Sequence, residues 1–165
     1  MNTKDHTTSR GAQSNSPNKF LEHVHETRDD FLEFCRLEDE DPDPGKTRFL
    51  EVFPKTIVNT VKSPDVGMRY SLNPYQGCEH GCIYCYARNT HEYWGYSAGL
   101  DFERQILVKK NAPQLLETFL QNKKWNPYPI ALSGNTDCYQ PAEQKFGITR
   151  ELLKIFLKYK HPVGI

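Results

Sequence analysis

Three cysteines within eight residues, Cys78, Cys82 and Cys85, constrain the fold of this chain more than any other feature of its sequence. Thiolates are soft ligands that favour zinc, copper(I) and iron–sulfur clusters, and ligands so close together require the backbone to wrap one centre. Gly77 and Gly81 lie where such a loop needs unusual dihedral angles, which glycine tolerates best. The spacing Cys-x3-Cys-x2-Cys therefore predicts a cluster held by three thiolates, with one position left open.

Two other uses of these cysteines stay open as alternatives. His80 or His91 would complete a Cys3His zinc site, but zinc sites usually combine two separated ligand pairs, and no second pair follows here. A disulfide framework is disfavoured because the chain has an odd number of cysteines and no apolar secretory segment at its N-terminus. We interpret the loop as an iron–sulfur site, with zinc and unligated thiols as the alternatives.

The cysteine loop and its flanks resemble the radical S-adenosylmethionine superfamily. The signature of that superfamily is Cys-x3-Cys-x2-Cys with an aromatic residue just before the last cysteine, which is Tyr84 in this chain. The flanks Asn73-Pro74-Tyr75-Gln76-Gly77 and Tyr86-Ala87-Arg88 are similar to the DNA-repair-photolyase-like branch, the relatives of spore photoproduct lyase. The resemblance covers roughly residues 60–165.

The resemblance implies a chemistry and a fold. It implies that Cys78, Cys82 and Cys85 each bind one iron of a [4Fe-4S] cluster, whose fourth iron takes S-adenosylmethionine. Reductive cleavage of this cofactor would give a 5′-deoxyadenosyl radical that abstracts hydrogen from a substrate, for which a nucleic-acid lesion is one candidate. It further implies an electron donor such as flavodoxin or ferredoxin. The implied fold is a partial (β/α)6 TIM-like barrel, of which this chain would be the N-terminal half.

The same resemblance implies a second set of contacts, to S-adenosylmethionine itself. The segment that follows a predicted strand at residues 130–133 carries hydroxyl, amide and carboxylate groups, which suit the amino and carboxylate groups of this cofactor. The cofactor-binding residues that the resemblance implies are Tyr84, Ser133, Asn135, Thr136 and Asp137.

The Thr136-Asp137 pair also looks like the Ser-Asp pair of spore photoproduct lyases. Gly134 replaces the reactive cysteine that some of those enzymes carry just before the pair. Cys138 follows the pair instead, and we expect it to be a packed, inert thiol rather than a hydrogen-atom donor.

Composition limits the remaining possibilities. A chain of 165 residues with 37% hydrophobic residues can build one ordinary domain. Its 21 basic and 21 acidic residues cancel, so composition gives no electrostatic argument for a nucleic-acid partner. The sequence lacks an apolar run long enough to cross a bilayer and a signal peptide, from which we expect no membrane partner and a cytoplasmic location.

The chain divides into three segments. Residues 1–19 are polar and almost devoid of apolar side chains, which predicts a disordered tail. Residues 20–62 form an N-terminal extension with a predicted helix before Cys35 and one or two strands within 46–61. His23 and His25 lack partners at ligand spacing and are expected to be surface residues. Residues 63–165 form the main, truncated domain.

Within this domain, predicted strands and helices alternate, which indicates an α/β fold with a parallel sheet. Functional residues of such barrels lie at the carboxyl ends of strands, where both the cysteine loop and the 133–137 segment fall. Thr149 is predicted to cap the last helix. The predicted strands are 69–73, 102–109, 130–133 and one beginning near Pro162, and the predicted helices are 83–93, one starting at Pro113, and 149–160.

Two classes of function follow from the sequence. The favoured one is a radical S-adenosylmethionine enzyme, with this chain as a fragment of doubtful activity by itself. The other is a non-catalytic iron–sulfur or zinc protein that uses the cysteine loop as a structural staple or redox sensor. Substitution of Cys82 separates the two, because a staple would lose its fold together with its metal.

Overall fold

The computed structural model of the protein describes residues 11–20, 46–63, 65 and 67–165. The predicted helix before Cys35, together with His23, His25 and Cys35 itself, falls outside these residues. The strands are β1 (Arg48–Val52), β2 (Val58–Thr60), β3 (Tyr70–Leu72), β4 (Tyr75–Gln76), β5 (Gln105–Lys109), β6 (Ile130–Leu132) and β7 (Val163–Gly164). The helices are a 3-10 helix (Tyr86–Trp94), α1 (Leu100–Arg104), α2 (Ala112–Leu120), α3 (Ala142–Phe146) and α4 (Ile148–Lys158).

The described strands form two sheets. The first has the order β1-β5-β4, with β1 parallel and β4 antiparallel to β5. The second has the order β2-β3-β6-β7, in which β2 is antiparallel to β3 and the other neighbours are parallel. The predicted α/β class is confirmed, but the sheets are mixed rather than purely parallel, and the strands of the described ranges do not close into a barrel.

One hydrophobic core joins the sheets to the two longest α-helices. Helix α4 presents Ile148, Leu152 and Phe156, which are spaced four residues apart and therefore lie on one face of the helix. Each fully buried side chain of this size stabilises the fold by roughly 1.5–3 kcal/mol. The buried residues that the strands and α2 contribute to this core are Leu72, Tyr75, Ile106, Val108, Ala112, Leu116, Ile130 and Leu132.

The structure corrects the prediction for residues 102–109, of which only the second half is a strand. Residues 100–104 form α1, because the Asp101 carboxylate accepts the N–H of Ser97 at 2.9 Å and closes a turn at the start of the helix. Alternation of apolar residues does not reveal such a turn. Helix α1 places Phe102 and Glu103 beneath the cysteine loop, which proves important for the site.

The predicted N-cap of the last helix is also wrong. Helix α4 begins at Ile148, after Gly147 in the left-handed conformation, and the carboxylate of Glu143 accepts the N–H groups of Thr149 and Arg150 at 2.9 and 3.1 Å. The Thr149 hydroxyl is buried and donates to the carbonyl of Cys138 at 2.7 Å. A carboxylate from the preceding helix α3 therefore takes the capping role predicted for Thr149.

Residues 11–20 lie against the main domain, although most of them belong to the segment predicted to be a disordered tail. Side chains and backbone groups of this stretch bind residues of the 3-10 helix, α1 and the turn between them. We call Gly11–Phe20 the N-terminal strap. Among the helices that the structure describes, none is long and apolar enough to span a membrane.

Candidate metal and cofactor site

The cysteine loop, residues 78–85, follows β4 and turns back into the 3-10 helix. Cys78 is buried at its start, and its N–H donates to the carbonyl of Phe102 at 2.8 Å. Cys82 and Cys85 are half-buried. The N–H of Cys85 donates to the carbonyl of Cys82 at 3.2 Å and closes a turn between them. The preceding Gly77 has a φ of +82°, and a Cβ there would lie 2.9 Å from the Phe102 carbonyl oxygen. Both facts make glycine necessary at residue 77.

The thiol of Cys78 lies in a partly polar environment. Burial raises its pKa, while hydrogen bonds from the backbone of His80 and Asp137 act in the opposite direction. The charges of Asp137 and Cys85 contribute to the rise. Two backbone groups from different segments thus approach the Cys78 sulfur, and Cys85 is close enough to influence it.

A buried ion pair holds the other side of the loop. Arg88 donates from Nε and Nη2 to the carbonyl of Cys82, at 3.1 and 2.9 Å, and its Nη2 lies 2.6 Å from Oε1 of Glu103. Glu103 is fully buried, and a Cβ on Gly81 would lie 2.9 Å from its Oε2. The carboxylate therefore contacts the loop directly as well as through Arg88.

Residues Ser133–Asp137, which we call the Ser133 turn, follow β6 of the second sheet. Ser133 has a φ of +78°, which is rare for a residue other than glycine. The N–H of Asn135 donates to Oδ1 of Asn73 at 2.8 Å, and the Thr136 hydroxyl donates to the carbonyl of Tyr75 at 2.9 Å. Both acceptors belong to the segment that leads into the cysteine loop.

The structure therefore brings the two predicted segments together. The carboxylate of Asp137 lies 3.2 Å from Nε2 of His80, and the hydroxyl of Tyr86 donates to the carbonyl of Gly134. The side chain of Gln140 is fully buried and donates from Nε2 to the carbonyl of Gly77 at 3.1 Å. These contacts bring the two segments side by side, each at the carboxyl end of a strand as expected, although the two strands belong to different sheets.

The side chains implied for cofactor binding differ in their freedom to bind a ligand. Tyr84 is 88% exposed, and the Asp137 side chain is about half exposed. The hydroxyls of Ser133 and Thr136 instead donate within the protein, to the carbonyls of Thr136 and Tyr75. Only their oxygen lone pairs remain for a ligand, whereas the side chains of Tyr84 and Asp137 are open to solvent.

Cys138 and Lys109 lie behind the Ser133 turn. Cys138 is buried, as expected, and burial raises the pKa of its thiol, as does the charge of Asp137. Lys109, at the end of β5, is buried and donates from Nζ to the carbonyl of Asn73 at 2.8 Å. Burial lowers the pKa of Lys109 to about 8. A buried thiol thus follows the turn directly, and a buried amine holds Asn73, the residue that binds the N–H of Asn135.

Three residues that hold this site together are not predictable from the sequence alone. Gln140 carries no pattern that predicts burial, and Glu103 was assigned to a strand. Arg88 lies in the flank that supports the family resemblance, but its role as an anchor of Cys82 follows only from the structure. Among the residues that the structure describes, no group of three or more His, Cys, Asp or Glu is arranged to hold a single metal ion.

No protein-family model matches this chain, and no solved structure matches it. Uncharacterized proteins of Mycobacterium bovis and Mycobacterium tuberculosis are 41% identical to it over 118 residues, which is 71% of this chain and 35% of each relative. An uncharacterized protein of Methanocaldococcus jannaschii is 32% identical over 110 residues, 67% of this chain and 39% of the relative. The chain thus spans little more than a third of these relatives, whose names indicate no function.

Proposed function

We propose that this chain is the cluster-binding part of a radical S-adenosylmethionine enzyme. The observation that carries the proposal is the junction of the cysteine loop with the Ser133 turn, through Gln140 and through the contact between His80 and Asp137. A cluster with one open iron needs a polar segment beside it that can hold the ligand of that iron. The chain supplies thiols and polar groups side by side, at the end of its strands.

The donor set fits an iron–sulfur cluster better than one zinc ion. Zinc sites usually combine two separated ligand pairs, whereas the cysteine loop supplies three thiols within eight residues. Cys78, Cys82 and Cys85 would instead each bind a different iron. Hydrogen bonds to sulfur and burial are the means by which a protein tunes such clusters, and the Cys78 sulfur has both.

The bound cluster would supply the electron that cleaves S-adenosylmethionine to a 5′-deoxyadenosyl radical. The protein's own part is to hold and orient this cofactor. The carboxylate of Asp137 is suited to accept hydrogen bonds from its amino group, and the exposed ring of Tyr84 offers a face for its adenine. Asn135 lies in the same Ser133 turn as Asp137, where its backbone N–H is held by Asn73.

The substrate and the electron donor belong to the proposal only by resemblance. A nucleic-acid lesion is the candidate substrate, and flavodoxin or ferredoxin is the candidate donor. The net charge of zero gives neither partner electrostatic support. The chain spans little more than a third of its relatives' length, so the proposal concerns cluster and cofactor binding by this chain.

Anaerobic reconstitution with iron and sulfide, followed by electron paramagnetic resonance of the dithionite-reduced protein, tests the proposal. We expect a reduced [4Fe-4S] signal that changes when S-adenosylmethionine is added, because the cofactor binds an open iron. A cluster signal that stays the same when S-adenosylmethionine is added would favour the alternative of a structural or redox-sensing cluster. A protein that binds zinc and no iron would overturn the proposal.

The Cys82→Ala variant separates the two classes of function. Cys82 is half-buried on the rim of the loop, where its side chain contributes little to the core. For an enzyme, we expect a folded protein that has lost the cofactor-sensitive signal. Loss of fold together with metal would instead identify the loop as a structural staple.

A further inference from the structure

The N-terminal strap binds the main domain along the 3-10 helix and α1. The N–H of Leu100 donates to the carbonyl of Ser14 at 3.3 Å, and the hydroxyl of Ser97 donates to the carbonyl of Ser16 at 2.8 Å. Asn18 donates from Nδ2 to the carbonyls of Glu92 and Tyr96, both at 3.0 Å. Further contacts join Asn15 to Asp101, Lys19 to Glu92, and the ring of Phe20 to that of Tyr93.

At its first residues the strap reaches the cysteine loop itself. A Cβ built on Gly11 would lie 1.9 Å from the carbonyl oxygen of Gly81, a distance that no real side chain adopts. The strap and the loop are therefore in direct backbone contact. The cavity beside this contact, about 320 Å³ in volume, is lined by residues of both segments, among them Ala12, Ile83 and Cys85.

Glu103 joins the two segments. Its Oε1 accepts the N–H of Ala12 at 2.8 Å and the guanidinium of Arg88 at 2.6 Å, while its Oε2 faces Gly81. Arg88 in turn donates twice to the carbonyl of Cys82. Hydrogen bonds to a charged group are about twice as strong as neutral ones, and full burial keeps water from competing for this carboxylate.

We propose that Glu103 is a positioning residue for the cysteine loop, which it fixes through Arg88 and couples to the N-terminal strap through Ala12. The strap is thus a part of the site rather than a dispensable tail. Its attachment holds Gly81 and the carbonyl of Cys82 in place, and with them the Cys82 thiol. This inference deepens the proposed function, on which its spectroscopic part rests.

The first experiment uses the full chain without metal and does not depend on the cluster. Iodoacetamide labels each cysteine at a rate that peptide mass spectrometry resolves residue by residue. The variants are Glu103→Gln, which keeps the shape and loses the charge, and Gly11→Ala, which forces the strap away from Gly81. Gly164→Ala is the matched control, because a Cβ on Gly164 meets nothing within 4 Å.

We expect Cys82 to be labelled about tenfold faster in Glu103→Gln, since one charge-assisted hydrogen bond is worth roughly that factor. The Gly11→Ala variant should also raise the labelling rate of Cys82, and Gly164→Ala should leave that rate unchanged. Buried Cys138 reports on general unfolding and should keep its rate in all variants. If the labelling rate of Cys82 in Gly11→Ala equals that of the wild type, the proposal is overturned. It is also overturned if the labelling rate of Cys138 rises as much as that of Cys82.

A second readout separates positioning from mere stability. In the reconstituted protein, loss of the buried negative charge in Glu103→Gln should raise the reduction potential of the cluster and shift its resonance signal. An unaltered potential and signal would contradict the positioning role. If the wild-type chain binds no cluster, the proposed function fails, while the labelling result still decides whether Glu103 and the strap order the loop.

Discussion

The buried amide of Gln140 donates to the carbonyl of Gly77 at 3.1 Å, across 63 residues of sequence. The carbonyl oxygen of the same side chain accepts the N–H of Glu79 at 3.2 Å. One glutamine therefore satisfies a backbone acceptor just before Cys78 and a backbone donor just after it. The start of the cysteine loop is fixed by a residue that binds no metal and follows the Ser133 turn.

The Gln140→Ala variant should lower the free energy of unfolding by about 2–4 kcal/mol, because it leaves one buried and one partly buried backbone group without their Gln140 partner. Urea denaturation monitored by circular dichroism measures this change. Gln144 is exposed and serves as the control, for which we expect a change within about 0.5 kcal/mol. Equal stability of the two variants would show that the bridge contributes nothing.

Cys78 and Cys138 are both buried cysteines, but the proposal gives only Cys78 to the cluster. We expect Cys78→Ala to lose most of the iron that the wild-type protein binds on anaerobic reconstitution. Cys138→Ala should retain it, because Cys138 lies behind the Ser133 turn. Iron and sulfide analysis per protein chain measures both, and equal losses in the two variants would argue against the assigned ligands.

Tyr84 is so exposed that its ring has little part in folding. We expect Tyr84→Ala to unfold within about 0.5 kcal/mol of the wild type. Its affinity for S-adenosylmethionine should nevertheless fall about tenfold, which corresponds to the loss of one base–aromatic stack. Calorimetric titration of the reconstituted protein measures this affinity. Tyr128→Ala, at the opposite end of β6, is the control that should bind normally.

The buried side chain of His91 should make the stability of the fold sensitive to acid. Burial lowers its pKa from 6.5 to about 4, against the opposing effect of Asp101, so the folded protein holds it neutral. Between pH 6.5 and 4 the unfolded chain binds the proton that the folded chain excludes. The free energy of unfolding should therefore fall as the pH falls through this window, by an amount on the order of 3 kcal/mol.

The His91→Phe variant isolates this effect. The His91 ring stacks on Tyr96 and meets Phe102 edge to face, contacts that a phenylalanine can keep. Denaturation curves at several pH values should show a smaller loss of stability in acid for the variant than for the wild type. Parallel curves for the two proteins would show that His91 already titrates normally in the folded state.

The half-buried carboxylate of Glu143 should contribute strongly to the stability of the fold. Its carboxylate accepts the hydroxyl of Tyr75 and caps α4 through Thr149 and Arg150. We expect Glu143→Ala to lose about 3 kcal/mol of stability in urea denaturation, through the cap and the buried hydroxyl. Glu151, which pairs with Lys154 at the surface of α4, is the control and should cost below about 1 kcal/mol.

Local sequence determined the chemical inventory of this protein and much of its secondary structure. The spacing of the cysteines, the glycine before Cys78 and the polar run after β6 are all readable without a structure. Strands β1, β2, β3, β6 and β7 and helices α2 and α4 follow from apolar periodicity, which depends on neighbours a few residues away. The start of α4 at Ile148 does not follow from this periodicity, because the carboxylate of Glu143 in the preceding helix caps it.

The tertiary structure alone decided how these parts meet. Gln140 contacts Gly77 across 63 residues, and Ala12 contacts Glu103 across 91. Such partners leave no trace in a local pattern, because a buried polar side chain looks the same in sequence as an exposed one. What makes burial of Glu103 acceptable is the charge of Arg88 and the hydrogen bonds around it, and only the folded chain brings them together.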